Sequence, residues 1–302
     1  MRAGITLIRA LLALVVAMAI GAGFGQTNLA RAVTIECAPP ASPAAAAPET
    51  PMPEVSMDAT FPEGGGDLTV FAAASLTDSF NQIKSDLEAA HDGLTITYNF
   101  AGSQALVTQL TEGSPADVFA SASNGQMANA VKAGVISGEP AVFTQNRLAI
   151  VVPKDNPAGV QTPADLATDG LKLVLAQAEV PVGQYARHSI CLADQDSVTY
   201  GAGFAEAVGA NIVSEEDNVK AVLTKVQLGE ADAGYVYTTD VTPDVVEDVL
   251  IIEVPDAINV IAKYPIAPVT GGNTELAAAF IAYVLGSEGQ ATLQKWGFEP
   301  KP

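Results

Sequence analysis

The sequence predicts an α/β protein of two lobes, each a mostly parallel sheet flanked by helices, with two crossover strands joining them. Three observations carry this expectation. From residue 67 onward, short runs rich in Val, Ile, Phe and Tyr alternate with amphipathic runs of helical period. About 235 residues follow in this manner with no second proline-rich break and no repeat of solenoid length. Hydrophobic residues make up 49% of the chain, enough to bury a sizeable core in each lobe.

The elements read in order. "LTVFAA" is a strand, and "LTDSFNQIKSDLEAA" places Leu76, Phe80, Ile83 and Leu87 on one helical face. "LTITYNF" is the next strand, and "QALVTQLTEG" is a short helix closed by Gly113. "ADVFAS" is a third strand, followed by a helix ending at Gly134. "RLAIVVP" is again strand, and Thr162 with Pro163 marks a helix start. "LKLVLA" is strand, "VPVGQYARHSI" turns into helix, and "DNVKAVLTKVQLGEA" carries Val219, Val222, Leu223 and Val226 on one face. "AGYVYTTD" and the long run "INVIAKYPIAPV" are strands, and two helices complete the chain through Trp296.

Residues 1–32 have the composition of a secretory signal: Arg2 and Arg9, an apolar stretch over 10–25, and small residues in "ARA". An uncleaved anchor is the other reading of the same stretch. Residues 33–66 are expected to form a disordered tether, since 38–66 hold seven of the 19 prolines and few large apolar side chains. Cys37 and Cys191 are the chain's two cysteines. Pairing, lipidation of Cys37 and two unpaired thiols all stand open on the sequence, although Glu36 is a poor neighbour for a lipidation signal. The chain carries 34 acidic and 14 basic residues, a net charge of −20. Such a field argues against nucleic acid and against anionic membrane surfaces as partners. An anionic ligand would have to be held by local geometry.

Four helix starts offer that geometry. "SLTD" at 75–78 reads most simply as a capping box between Ser75 and Asp78. Yet Ser103 opens the next helix after Ala101 and Gly102, Pro181-Val182-Gly183 opens another, and Asp217-Asn218-Val219 a fourth. Helices that follow strands begin at the carboxyl edge of a parallel sheet, where open α/β folds bind ligands. A helix N-terminus presents unpaired N–H groups and about half a positive charge, and tiny residues let it approach a ligand. Together these features suit an anion without any lysine or arginine. A pocket made only of donors also favours a fully ionised oxyanion, because a protonated one would leave a buried donor unpaired, at about 1–3 kcal/mol.

These segments resemble a known family. "LTVFAAASLTDSF", "FAGSQALVTQLTEGSPADVFASA", "RLAIVVP", "VPVGQYA", "EDNVKAVLTKVQLGEADAGYVYTTD" and "YPIAP", spread over about 67 to 299, resemble the periplasmic molybdate-binding proteins of ABC importers. The resemblance implies a bilobal class II binding-protein fold, with lobe 1 over 67–145 plus 258–302 and lobe 2 over 146–257. It implies molybdate as ligand, entering as an intact oxyanion and not through a metal-ligand cluster, with tungstate or sulfate as alternatives. It also implies five donors: the Ser75 and Ser103 hydroxyls, the backbone N–H groups of Val182 and Val219, and the Tyr237 phenol. Val182 stands where the family commonly has alanine, and Gly102 where relatives often have serine. An extracytoplasmic monomer is expected, free or tethered through its N-terminus, that docks on a membrane permease and needs no cofactor.

An enzyme is the rival from a different class. Ser75 or Ser103 as a hydrolase nucleophile would need a base, and His91 and His188 stand in no recognisable triad context. No G-x-S-x-G occurs, and "GAGFAE" lacks the third glycine and the preceding strand of a dinucleotide motif. Asp117 reads as structural, bonding nearby backbone, because a carboxylate facing a dianion would be repelled.

Overall fold

The computed structural model describes residues 33–37 and 60–302. The signal-like residues 1–32 and the proline-rich stretch 38–59 lie outside them. In chain order the first lobe opens with β1 (Gly66–Ala73), α1 (Thr77–Ala90), β2 (Leu94–Ala101), α2 (Ser103–Thr111), β3 (Val118–Ala120), α3 (Asn124–Lys132) and β4 (Ala141–Asn146). The chain then enters the second lobe with β5 (Leu148–Pro153), β6 (Leu173–Ala176), α4 (Pro181–Gln195), α5 (Ser197–Tyr200), α6 (Phe204–Ala210), β7 (Ile212–Glu216), α7 (Val219–Gln227), β8 (Ala233–Tyr237) and β9 (Val249–Glu253). It returns through β10 (Ala262–Pro268) and ends with α8 (Thr274–Leu285) and α9 (Ser287–Lys295).

The two sheets share one plan. The first runs β2-β1-β3-β10-β4 and the second β7-β6-β8-β5-β9. In each, four strands run the same way and one, β10 in the first and β5 in the second, runs against both its neighbours, so both sheets are mixed. The antiparallel pairing has a simple cause: β10 and β5 are the strands that enter each lobe from the other, and they run against their neighbours. The carboxyl ends of the parallel strands β1, β2, β3, β6 and β7 lead into helix starts.

Burial follows the sequence pattern. Leu76, Phe80, Ile83 and Leu87 lie on the inner face of α1 and are buried. Phe80 meets Phe280 edge-on at 5.8 Å, and Phe143 meets Tyr264 edge-on at 6.3 Å. The helix α8, apolar around most of its girth, is accordingly buried along most of its length. Gly113, Gly134 and Gly229 close their helices in the left-handed region.

Four local expectations change. The segment 33–66 is not tether throughout: Ile35 is buried, and Phe61 is buried with its ring 4.5 Å from that of His91. Cys37 is disulfide-bonded to Cys191 of α4 across 154 residues, so it is neither lipidated nor a free thiol. The long run 258–269 is strand only over Ala262–Pro268. The strands β4 and β7 had no clear sequence signature. Val213 and Glu215 of β7 face solvent at a sheet edge, so its apolar content is low.

Candidate functional site

The site is built where strands end and helices begin. After β1 the chain does not pass straight into α1. Ala74–Leu76 form a 3-10 turn, and α1 starts at Thr77. Ser75 therefore makes no capping bond, and the expected capping box with Asp78 does not form. Its hydroxyl instead lies 2.9 Å from the Tyr264 hydroxyl, in a buried pair 189 residues apart in sequence. The alanines around it have a packing reason: Ala72, Ala73 and Ala74 are all buried where the turn tucks under the sheet edge.

Ser103 is the first residue of α2 and is fully buried. Its Oγ accepts the backbone N–H of Ala122 at 3.0 Å. Before it, Gly102 admits a close approach between lobes: a Cβ there would lie 2.4 Å from the Asp217 carbonyl oxygen.

The second lobe supplies backbone. Pro181 occupies the first position of α4, so Val182 carries the first N–H of that helix, which has no intrahelical partner. Gly183 is small for a different reason from the one its place suggested. A Cβ there would stand 2.1 Å from the Gln177 carbonyl oxygen, so the glycine lets the helix start pack on the end of β6. Asn218 caps α7, its side chain accepting the Ala221 N–H at 3.0 Å, and leaves the N–H of Val219 at the helix tip. Tyr237 ends β8 with its ring buried against Tyr264, centroids 6.0 Å apart. Its backbone N–H goes to Asp240 Oδ2 at 2.9 Å, but its buried hydroxyl, beside that of Tyr264, has no partner in hydrogen-bond geometry among the described residues. Burial raises the phenol well above its ordinary pKa, so it stays a neutral donor.

Ser75, Ser103, Val182, Val219 and Tyr237 line one small cavity, together with Ala73, Ala74, Ala101, Gly102, Ala122, Val180, Pro181 and Asn218. The structure thus brings all five sequence-predicted residues together from the two lobes. No lysine or arginine is among the described residues that line it. The nearby cation, Lys220, is engaged elsewhere. Its Nζ is 2.8 Å from Asp78 Oδ2 in the first lobe and 3.6 Å from Asp240 Oδ1. Asp240 is fully buried, and burial raises its carboxyl to about 6 against the pull of Lys220. Two further bonds link the lobes beside the cavity: Gln104 Nε2 to the Asp217 carbonyl at 2.9 Å and Gln126 Nε2 to the Glu179 carbonyl at 2.8 Å. Asp117 is structural, accepting the N–H groups of Thr69 and Asn273, each at 2.7 Å.

Sequence reasoning missed Tyr264 and Asn146. Both are buried in the first lobe next to the crossovers, and Asn146 Nδ2 reaches the Tyr264 hydroxyl at 3.4 Å. A strand tyrosine and a strand-end asparagine carry no local sign of such a role.

A cavity of donors between two lobes of shared plan, joined by two crossovers, defines the class of a solute-binding protein. Residues 68–299 match the family described as bacterial extracellular solute-binding protein, and the chain belongs to that family. The chain is 38% identical over 237 residues to the molybdate-binding protein ModA of Mycobacterium tuberculosis, covering 78% of this chain and 85% of that one. A solved substrate-binding domain assigned to a molybdenum ABC transporter of Clostridium difficile is 25% identical, with TM-score 0.58 over 79% of this chain and 100% of that chain. The sulfate-binding protein SubI of Mycobacterium tuberculosis has TM-score 0.68 over 78% of this chain and 87% of that one, at 17% identity. That last likeness is of fold alone.

Proposed function

We propose that this protein captures molybdate outside the cytoplasm and delivers it to an ABC-type permease. The observation that carries the reading is the Tyr237 hydroxyl: buried, without a partner in hydrogen-bond geometry among the described residues, and in the wall of a cavity that two serines and two helix tips also line. A buried donor left unpaired is unfavourable by about 1–3 kcal/mol, so the arrangement is suited to an acceptor arriving from outside. A tetrahedral dianion supplies acceptors in every direction. Five hydrogen bonds to a charged group, each worth roughly 1.5–3 kcal/mol, are sufficient for micromolar to nanomolar affinity after the costs of association.

The identity to the mycobacterial molybdate-binding protein favours molybdate among tetrahedral oxyanions. Tungstate, of nearly the same size and charge, is expected to bind alongside it. The disulfide between Cys37 and Cys191 accords with an oxidising compartment. Among the described residues no helix is long and apolar enough to cross a membrane. Carriage is favoured over catalysis by the bonding of the serines: the hydroxyls of Ser75 and Ser103 pair with Tyr264 and with backbone.

Donors from both lobes meet on one ion, so the ion stabilises the closed arrangement over the open one. Isothermal titration with molybdate, tungstate, sulfate and phosphate tests this. Tight binding of the first two, weaker sulfate and no phosphate are expected. Equal or tighter sulfate binding would overturn the substrate, and no heat with any oxyanion would overturn the ligand class.

A further inference from the structure

We propose that Tyr264, held by Asn146, is a specificity-determining positioning residue: it points the Ser75 proton into the cavity and so makes that serine an obligate donor. The inference deepens the proposed function and rests on it.

The orientation of the Asn146 amide follows from a backbone group of fixed polarity, and the hydroxyl protons are assigned from it. Asn146 Oδ1 lies 2.9 Å from the Arg147 backbone N–H and 3.2 Å from Thr238 Oγ1. A backbone N–H only donates, so this atom is the amide oxygen and the other is the nitrogen. Asn146 Nδ2 then donates to Thr239 Oγ1 at 2.7 Å and to the Tyr264 hydroxyl at 3.4 Å. Tyr264 accepts from Asn146, and we assign its own proton to Ser75 Oγ at 2.9 Å, because the neighbouring Tyr237 hydroxyl, though it interacts with Tyr264, lies outside hydrogen-bond geometry. Burial keeps that phenol protonated. Ser75 accepts from Tyr264, which leaves its hydroxyl proton for whatever occupies the cavity that Ser75 lines.

Ser103 reaches the same state by a different route. Its Oγ accepts the Ala122 N–H at 3.0 Å, so its proton too is free for the cavity. Each serine therefore has a donor directed at its oxygen, a fixed backbone group in one case and a side chain in the other. A hydroxyl without such a donor can rotate and offer a lone pair to a protonated ligand. The Ser75 hydroxyl, with Tyr264 in place, is denied that choice. The pocket's rejection of protonated oxyanions is thus not a property of the five lining donors alone, because it depends on a phenol and an amide behind them.

The test compares molybdate with phosphate at about pH 8, above the second ionisation of phosphate, where both are dianions and differ in one proton. Binding constants are measured by isothermal titration, phosphate at millimolar concentration, for wild type, Tyr264→Phe, Ser75→Ala and the double variant. Tyr264→Phe is expected to lower the molybdate-over-phosphate preference by roughly tenfold, the effect of one mismatched polar contact. In the Ser75→Ala background the same substitution is expected to leave the preference unchanged. A merely structural role would weaken both ions in parallel and would persist without Ser75. Should Tyr264→Phe fail to fold, Asn146→Asp replaces the amide donor by an acceptor, turns the Tyr264 proton away from Ser75, and is expected to relax the preference in the same direction. A wild type that discriminates and a folded variant that discriminates equally would overturn this inference and leave the functional reading standing. A wild type that takes up no oxyanion would overturn both.

Discussion

The two halves of the cavity are made from the same local architecture and different chemistry. In both lobes a helix starts at the carboxyl end of a parallel strand. The first lobe meets the cavity with hydroxyls that already have partners: Ser75 with Tyr264 and Ser103 with the Ala122 N–H. The second meets it with helix-tip amides and with Tyr237, whose hydroxyl has none in hydrogen-bond geometry among the described residues. The serines are embedded in the first lobe's own bonding, whereas Tyr237 is completed only by a ligand. Stability and affinity should therefore separate differently on the two sides.

The sharpest way to break that contrast is to remove one hydroxyl from each side. Ser103→Ala strips the Ala122 N–H of its acceptor and removes a ligand donor. Affinity for molybdate is expected to fall by about 1.5–3 kcal/mol, and stability without ligand by about 1–3 kcal/mol. Tyr237→Phe should lose similar affinity, roughly 1.5–3 kcal/mol, with no loss of ligand-free stability because no internal bond is removed. Titration calorimetry and thermal melts on the same samples check both. An equal fall in melting temperature for the two variants would erase the contrast.

A somewhat smaller effect addresses closure. Gly102→Ala places a Cβ 2.4 Å from the Asp217 carbonyl oxygen of the other lobe. The backbone oxygen can yield only by holding the lobes apart, and overpacking of this kind costs roughly 1–3 kcal/mol. Weaker molybdate binding with an unchanged ligand-free melting temperature is expected. Small-angle scattering with ligand should show a less compact protein than wild type.

The smallest expected change comes from Lys220. It is partly exposed, and the ion pair it forms with Asp78 across the lobes is expected to add below about 1 kcal/mol to affinity. Its effect on pH dependence is more distinctive. Burial holds the Asp240 carboxyl at about 6 in the fold against an ordinary 3.8. A raised carboxyl favours the protonated native state, so the stability it lends is complete below about 3.8 and is lost as pH rises through about 6. Lys220 opposes that rise in pKa. Lys220→Met should push the carboxyl higher still, so that its melting temperature drops further below wild type between about pH 6 and 8. Parallel melting curves for the two proteins across that range would contradict the assignment.

Much of the site was legible because its parts are local. Ser75, Ser103, Val182 and Val219 could be picked from strand-to-helix transitions and tiny neighbours, and Tyr237 from a motif shared with relatives. Some reasons were misread even where the residues were right. The simpler capping role for Ser75 gives way to a pairing with Tyr264, while the smallness of Gly183 answers to the end of β6. The tether was drawn too broadly, because the burial of Ile35 and Phe61 depends on surfaces far along the chain.

By itself the sequence determined where helices start, which faces are apolar and that no cation is supplied by most of those starts, since each depends on residues within a turn or two of one another. The tertiary structure alone decided that Ser75 pairs with Tyr264, that Cys37 and Cys191 join, and that Lys220 answers Asp78 and not the cavity. These relations link groups 189, 154 and 142 residues apart. A hydrogen bond or ion pair acts over a few ångströms of space, and separation along the chain does not reveal which distant groups the fold will bring within that reach.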